Sequence, residues 1–382
     1  MPYVDKRHLQ CWLDKTSQIL TLYPDLHANP LSLPILRHVA VSRALVHVCQ
    51  SASIGHTNSF DTSASSPCLE ERQLALRMVR EELSEKKTPP IALFLSVFIL
   101  GVSSPWILDD RADFGSNHFL GARAIIDSLL GDVKVRNDPW FPIVLGYYLW
   151  WDMSCAFFLD PEDSNPPNTA EVYKALQQSG MPASCHPIAG NHSEILYILG
   201  NLARYCRRAL EKETYDVAFE DMTKDQLMCW LPVGEDSDIN VLSGAFCKYG
   251  FIMLCTVRRW RAERSAEFPE AGHLDDIAIL DMTSRMYALE IISDLLRIPA
   301  SAAPSVFQGI PLLAAGAELT ADDEGIRAEV RSRFGALFSR IRVPNLLWLI
   351  QLLNVVWEMN DRGCKVTYLE VMLRKKWHIS QV

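Results

Sequence analysis

Apolar residues recur at helical spacing along most of this chain, and the two-residue alternation of a half-buried strand is hardly visible. In an arginine-rich stretch near the C-terminus, one side of a helix would carry Ile326, Val330, Phe334, Leu337 and Ile341. Three other long helices are predicted, at about 193–213, 241–263 and 274–296. The periodicity predicts an all-α fold, a layered multi-helix bundle with no significant sheet.

Length and composition favour one large domain. The chain has 382 residues, of which 49% are hydrophobic and 22% charged, as in soluble globular proteins. We predict a single all-α domain over residues 1–382. Mobile loops are expected near 51–67, which is rich in serine and threonine, and near 160–170, which contains PEDSNPPN. Such segments bury too little apolar surface to offset the entropy lost on ordering.

The charge pattern argues against direct contact with nucleic acid. The formal net charge is −9, whereas DNA binding depends on Lys and Arg placed near phosphates. Basic residues occur only in short clusters such as Arg207-Arg208, Arg258-Arg259 and Arg374-Lys375-Lys376. These clusters are typical of solvated helix faces and helix C-termini.

The cysteines do not form a zinc motif. No two of the ten cysteines lie three positions apart, and the closest two, Cys247 and Cys255, are eight apart. Zinc clusters require tight local pairs of thiolates. No secretory signal opens the chain, so free thiols in a reducing, intracellular setting are expected. We predict no metal ligands and no cofactor.

No membrane span is expected. Residues 91–108 carry no charge, but Gly101, Ser103, Ser104 and Pro105 interrupt them. The second apolar strip, 140–159, contains a proline and an aspartate, Pro142 and Asp152.

One motif resembles enzyme chemistry. Asp109, Asp110 and Asp113 stand in WILDDRADFG, and clustered carboxylates can bind Mg²⁺ and a diphosphate. All-α terpenoid synthases use such a motif, so a Mg-dependent enzyme of that kind is one alternative. Their second metal site needs Asn or Asp, then Ser or Thr four residues on, then Glu eight on. No such triple follows residue 113. A helix-capping turn is the favoured interpretation.

Histidines and glycines form no catalytic signature either. His186 and His192 lie near Cys185, where a loop metal site is conceivable, although hydrogen bonding is the favoured role. The chain has no H-E-x-x-H, no G-x-S-x-G and no phosphate-binding glycine loop. We therefore predict no catalytic residues and a protein that is not an enzyme.

Several short motifs recur in an order typical of one family. They are Leu33–Ser42, the HFLGAR of His118–Arg123, Tyr249–Arg258, the PLLAAGAE of Pro311–Glu318, and Val356-Trp357 with Asp361-Arg362-Gly363. Over roughly residues 9–377 the chain resembles the regulatory domain of fungal transcription factors. In that family this domain normally follows a binuclear zinc-cluster DNA-binding domain. Here Met1 falls almost at its start, so we expect no zinc cluster and carry over no DNA binding.

The resemblance implies a transcription regulator that acts in the nucleus, on a metabolic or secondary-metabolite gene set. It implies protein partners, either a second copy or a DNA-binding regulator, and permits a small-molecule effector. A cavity for such an effector could be lined by Trp150, Trp151, Phe157, Phe251 and Trp260, although core packing is the alternative for each. A scaffold or dimerisation module without DNA contact stays open as a further alternative.

Overall fold

The computed structural model describes residues 4–57, 65–108, 110–160, 169–179, 186–190, 192–230, 237–265 and 271–379. Over these ranges the chain is helical and lacks strands, apart from one isolated bridge between His186 and Gly190. The first half contains α1 (Lys6–Asp14), α2 (Leu36–Val39), α3 (Arg43–Thr57), α4 (Ser65–Glu85), α5 (Pro90–Val102), α6 (Ser104–Leu108), α7 (Ser116–Gly131) and α8 (Trp140–Cys155). The second half contains α9 (Thr169–Gln178), α10 (Ser193–Lys212), α11 (Val217–Cys229), α12 (Asp238–Ser265), α13 (Ala271–Arg297), α14 (Gly309–Ala317), α15 (Glu324–Ile341), α16 (Asn345–Asp361) and α17 (Tyr368–Lys375).

The all-α prediction is confirmed, and the long helices fall where the periodicity placed them. The segments predicted at 193–213, 241–263 and 274–296 correspond to α10, α12 and α13 within a few residues. The buried apolar residues form one cluster that includes Trp12 near one end of the chain and Ile379 near the other. The described helices therefore pack around a common core.

The uncharged strip 91–108 is a core helix followed by a turn. It is divided between α5 and α6, and every residue from Ile91 to Val102 is buried. α5 packs against α3, α4, α7 and α8, so it has no solvent-facing side that would require polar residues. The second strip forms α8, which is buried along nearly its whole length.

Within the described ranges one helix, α12, is long and apolar enough to cross a membrane by length and composition. The structure packs α12 against α10, α13 and α14, and 61% of its apolar window is buried. The central helix of a folded core has these same properties, so the length of α12 is weak evidence for a membrane.

One loop prediction is wrong in part. Residues 51–57 continue α3, and Ser51, Ala52, Ser53 and Ile54 are buried there. Small side chains are used at this point because α3 and α4 approach closely: the Ser51 hydroxyl donates to the Cys68 carbonyl at 3.0 Å. Residues 65–67 and 169–170 are helical as well. The rest of the two predicted loops, 58–64 and 161–168, lies outside the described residues.

Asp152, the one charge in the second apolar strip, is neutralised inside the core. Its side chain is fully buried, and Arg204 of α10 donates to both carboxylate oxygens at 2.9–3.1 Å. The Thr169 hydroxyl at the start of α9 donates to the same carboxylate at 3.3 Å. A buried carboxylate is tolerated when its oxygens are paired in this way, and the ion pair fixes how α8, α9 and α10 meet.

The helix α8 and the segment 186–190 approach each other closely at Gly146. A Cβ at Gly146 would lie 2.0 Å from Nε2 of His186, a buried imidazole that donates to the Ile143 carbonyl at 3.1 Å. We expect Gly146→Ala to lower the free energy of unfolding by about 1–3 kcal/mol, because the imidazole must move. Urea unfolding measures this change.

Gly335 provides the matched control, since it is also a helical glycine but has open space beside it. Gly335→Ala should raise the free energy of unfolding by up to about 1 kcal/mol, because alanine favours the helix. Equal effects of the two substitutions would contradict the assigned contact at Gly146.

Candidate functional site

A cleft of about 540 Å³ opens where several helix ends meet the middle of α13. It lies between the C-terminal ends of α12, α14 and α16 and the start of α17. Its polar lining consists of Arg259, Glu263, Asp281, Arg285, Glu318, Thr320, Asp322, Asn360, Asp361, Lys365, Thr367 and Glu370. Trp260 and Met282 add apolar surface.

Beside the cleft, α14 packs closely against α16. A Cβ at Gly316 would lie 3.2 Å from the Leu353 side chain, so little room exists for a larger residue. The Trp357 indole donates to the Gly316 carbonyl at 2.8 Å. The same carbonyl also accepts a hydrogen bond from the Leu319 amide at 3.3 Å, so the indole adds a second donor at the end of α14. Glu318 follows directly and enters the cleft.

Two capping boxes turn the chain around the cleft. Thr320 and Asp323 bond reciprocally ahead of α15, and Thr367 and Glu370 do the same at the start of α17. Each box satisfies backbone donors at a helix start and fixes the direction in which the helix leaves the cleft.

Arg285 of α13 clamps the first capping box. Its guanidinium donates to both oxygens of Asp323, at 2.5 and 2.6 Å. The hydrogen bonds from Arg285, assisted by those from Thr320, lower the pKa of Asp323 from 3.8 to about 2. The pair joins α13 to the start of α15 across the mouth of the cleft.

A second arginine explains the spacing of the tryptophan and the aspartate in VVWEMNDRG. Arg327 of α15 is buried and donates to both oxygens of Asp361, at 2.7 and 2.8 Å. Its guanidinium also lies over the Trp357 ring, 5.0 Å from the centroid. Trp357 and Asp361 are one helical turn apart and hold the same cation, so α15 and α16 are locked together.

Charge on the α12–α13 wall is only partly balanced. Arg259 donates to Asp281 at 2.9 Å, and Lys365 approaches the same carboxylate at 3.5 Å. Burial raises the pKa of Glu318, although the nearby Arg259 acts against this shift. Six carboxylates line the described cleft against three basic side chains, Arg259, Arg285 and Lys365.

The lining combines charged side chains with some apolar surface. The residues that line the cleft in the described structure include no cysteine, serine or histidine. The carboxylate surplus favours a ligand with a cationic group. The apolar surface of Trp260 and Met282 could hold its hydrocarbon part.

Only one of the five aromatic residues considered as cavity lining reaches this cleft. Trp260 lines it. Trp150, Trp151 and Phe157 are buried in the core, where Trp150 meets Phe307 edge to face. The fifth, Phe251, stacks on Tyr287 between α12 and α13.

The aspartate motif forms a turn. Asp110 accepts a hydrogen bond from the Ala112 amide and Asp113 accepts one from the Gly115 amide, each at 2.8 Å. Asp109 lies outside the described residues. The same turn receives the C-terminal segment, because the His378 amide donates to the Arg111 carbonyl at 2.6 Å. The described carboxylates thus serve the local backbone and do not line any of the described clefts.

The two loop histidines are both buried and hydrogen-bonded. Nδ1 of His186 accepts from the Ala189 amide at 2.9 Å, and Nδ1 of His192 lies 2.9 Å from the Ser243 hydroxyl. Burial lowers the pKa of these imidazoles to about 4 and about 3. Cys185 lies outside the described residues. Among the residues that are described, no three His, Cys, Asp or Glu side chains converge as a metal site.

The chain matches a known protein family. A sequence model described as the fungal specific transcription factor domain matches residues 7–227 and 282–381. The second matched stretch contains most of the cleft, including α14, α16 and α17. No curated protein and no solved structure matches the chain.

The Arg285–Asp323 pair predicts a pH-dependent contribution to stability. We expect Asp323→Asn to lower the free energy of unfolding by about 1–2 kcal/mol at neutral pH, since charge-assisted hydrogen bonds are lost at a partly exposed site. Folding lowers the pKa of Asp323 from 3.8 to about 2. The stabilisation from its ionised carboxylate is therefore fully present above pH 3.8 and is lost as the pH falls through about 2. Urea unfolding of both proteins between neutral pH and acid measures the difference.

The neighbouring exposed carboxylate Asp322 provides the control. Asp322→Asn should change the free energy of unfolding by less than about 0.5 kcal/mol. We expect the wild type to lose its higher free energy of unfolding over Asp323→Asn as the pH falls below 4. If that difference instead increased, the assignment would be contradicted.

Proposed function

Because the chain belongs to the family of fungal specific transcription factor domains, we propose that it regulates transcription through the molecules it binds. The family match, which covers most of the chain, is the observation that carries this proposal. The cleft supports it, since its walls bring together PLLAAGAE and VVWEMNDRG, two of the motifs on which the family resemblance rests. We place its action in the nucleus, in keeping with the family.

We do not assign DNA binding to residues 1–382. Residues 1–382 have a net charge of −9 and no two cysteines three positions apart, so they lack the paired thiolates of a zinc-cluster motif. A DNA-binding regulator would then bring this chain to its target genes. Control of a metabolic or secondary-metabolite gene set stays a prediction from the resemblance.

The cleft is proposed as the site of a small-molecule effector that carries a cationic group. Its six carboxylates against three basic side chains would attract an amine or a guanidinium, and its volume of about 540 Å³ suits a small molecule. A ligand there would touch α12, α13, α14 and α16 at once. It could therefore change how these helix ends are held relative to one another.

Tethering tests the regulatory role. The full chain is fused to an unrelated DNA-binding domain, and a reporter with that domain's site is measured in a fungal cell. We expect the fusion to raise or lower reporter output relative to the DNA-binding domain alone at equal protein level. Equal output in both cases would contradict the proposal and favour the scaffold alternative.

Thermal unfolding with spermidine tests the cleft. At constant ionic strength, spermidine should raise the melting temperature of the wild type, because ligands that bind only the folded state stabilise it. Glu263→Lys in the cleft should weaken this rise. Glu85→Lys provides the matched control, since Glu85 is also an exposed glutamate near a helix C-terminus but lies at the end of α4. Equal responses of the two variants would contradict a cationic ligand at this cleft.

A further inference from the structure

The helix α13 has an apolar row on the side that faces away from the core. The buried residues on its inner side include Ser284, Ala288, Ile291 and Leu295. The outer side carries residues spaced alternately three and four apart: Ile279, Met282, Met286, Leu289, Ser293 and Leu296. We call these six residues the outer row. Ile279, Met282 and Met286 lie on the side of α13 opposite the buried residues, since one residue advances a helix by about 100°. Leu289 and Leu296 lie nearer the core, against which they pack.

The outer row is unusually exposed for its composition. Ile279 is 54% exposed, Met282 67% and Met286 47%, while Leu289 and Leu296 are partly buried. Single exposed apolar residues are common on protein surfaces, but three in one helical row form a continuous strip. The alternating spacing of three and four is that of the seam between two paired helices. From Ile279 to Leu296 the row is about 26 Å long, at 1.5 Å per residue.

Charges beside the row favour an antiparallel second copy. Asp276 and Arg297 lie on the same flank, three heptads apart, and both are exposed. Arg297 is 68% exposed, with Asp294 3.8 Å away as a weak partner. In an antiparallel pair, residues on one flank face the same flank of the other helix. Asp276 of each copy would then face Arg297 of the other copy, which gives two complementary contacts.

The opposite flank does not prevent this pairing. Arg285 lies there, and its charge is balanced by the two hydrogen bonds to Asp323 at 2.5 and 2.6 Å. Beside the C-terminal half of the row, a groove of about 390 Å³ between α13 and α15 is lined in part by Leu289, Leu296 and Ile326. This groove provides additional apolar surface for a second helix.

We propose that a second copy of this chain docks on the outer row, with the two α13 helices antiparallel. Met286 packs on Leu289 of the second copy, Met282 on Ser293 and Ile279 on Leu296, and each contact occurs twice about the two-fold axis. A strip of about 26 by 10 Å is smaller than the interface of a stable obligate dimer, so we expect a weak, reversible dimer with a dissociation constant on the order of 10 µM or higher. This proposal does not depend on the regulatory role.

Sedimentation equilibrium of the full chain tests the surface. The wild type should show a monomer–dimer equilibrium with a micromolar dissociation constant, and Met286→Glu should raise that constant at least about tenfold. Met222→Glu is the control, because Met222 is also an exposed methionine, at 51%, but lies on α11. A wild type that stays monomeric up to about 100 µM, or a dimer that Met286→Glu leaves unchanged, overturns the proposal.

A charge swap tests the orientation. Asp276→Arg and Arg297→Asp should each dimerise more weakly than the wild type, because each places like charges together. An equimolar mixture of the two variants should associate more tightly than either alone, since both contacts then join opposite charges. The pair Asp225→Arg and Arg77→Asp has the same net charges at other exposed positions and should show no such gain on mixing. A mixture of the first pair that gains nothing overturns the antiparallel arrangement.

Discussion

Every charge that enters the helical core must find a partner there, and these pairings fix the arrangement of the helices. Apolar packing is strong but has no direction, so by itself it would allow helices to slide or rotate against one another. Asp152 with Arg204 is one directional contact, and Arg327 with Asp361 is another. A third joins Arg333 of α15 to the Gln308 side chain and the Ile298 carbonyl, at 2.7–2.9 Å. Loss of one partner in a buried ion pair such as Asp152 with Arg204 typically costs about 3–5 kcal/mol, which is comparable to much of a domain's net stability.

The sequence predicts the fold class because helical periodicity is a local property. The apolar spacing in α10, α12 and α13 is set by which side each helix buries, so it can be read from a single segment. The error at 51–57 has the opposite cause. Serine and alanine in that stretch indicated a loop by composition, whereas the structure uses their small size where α3 meets α4. Composition alone does not separate a solvated segment from a closely packed one.

The candidate site could be predicted only in part, because its partners are far apart in sequence. The motifs around Gly316 and Trp357 were visible as short apolar patterns, and the structure joins them through one hydrogen bond. The roles of Arg285 and Arg327 could not be predicted, because in sequence an arginine on an amphipathic helix cannot be distinguished from any other solvated charge. Their carboxylate partners lie 38 and 34 residues away. The aromatic residues were poor guides for a related reason: a large ring suits a core as well as a cavity, and only Trp260 has the cleft beside it.

Met282 belongs to two surfaces at once. It contributes to the wall of the cleft, and it is the most exposed apolar residue of the outer row. A small molecule in the cleft and a second copy lying along α13 would therefore both contact the Met282 side chain. Thermodynamic reciprocity then applies: if occupancy of one surface strengthens or weakens binding at the other, the reverse holds by the same factor. Through this one flexible side chain, the concentration of the small molecule could affect dimer formation. The concentration of the chain could in turn affect binding of the small molecule.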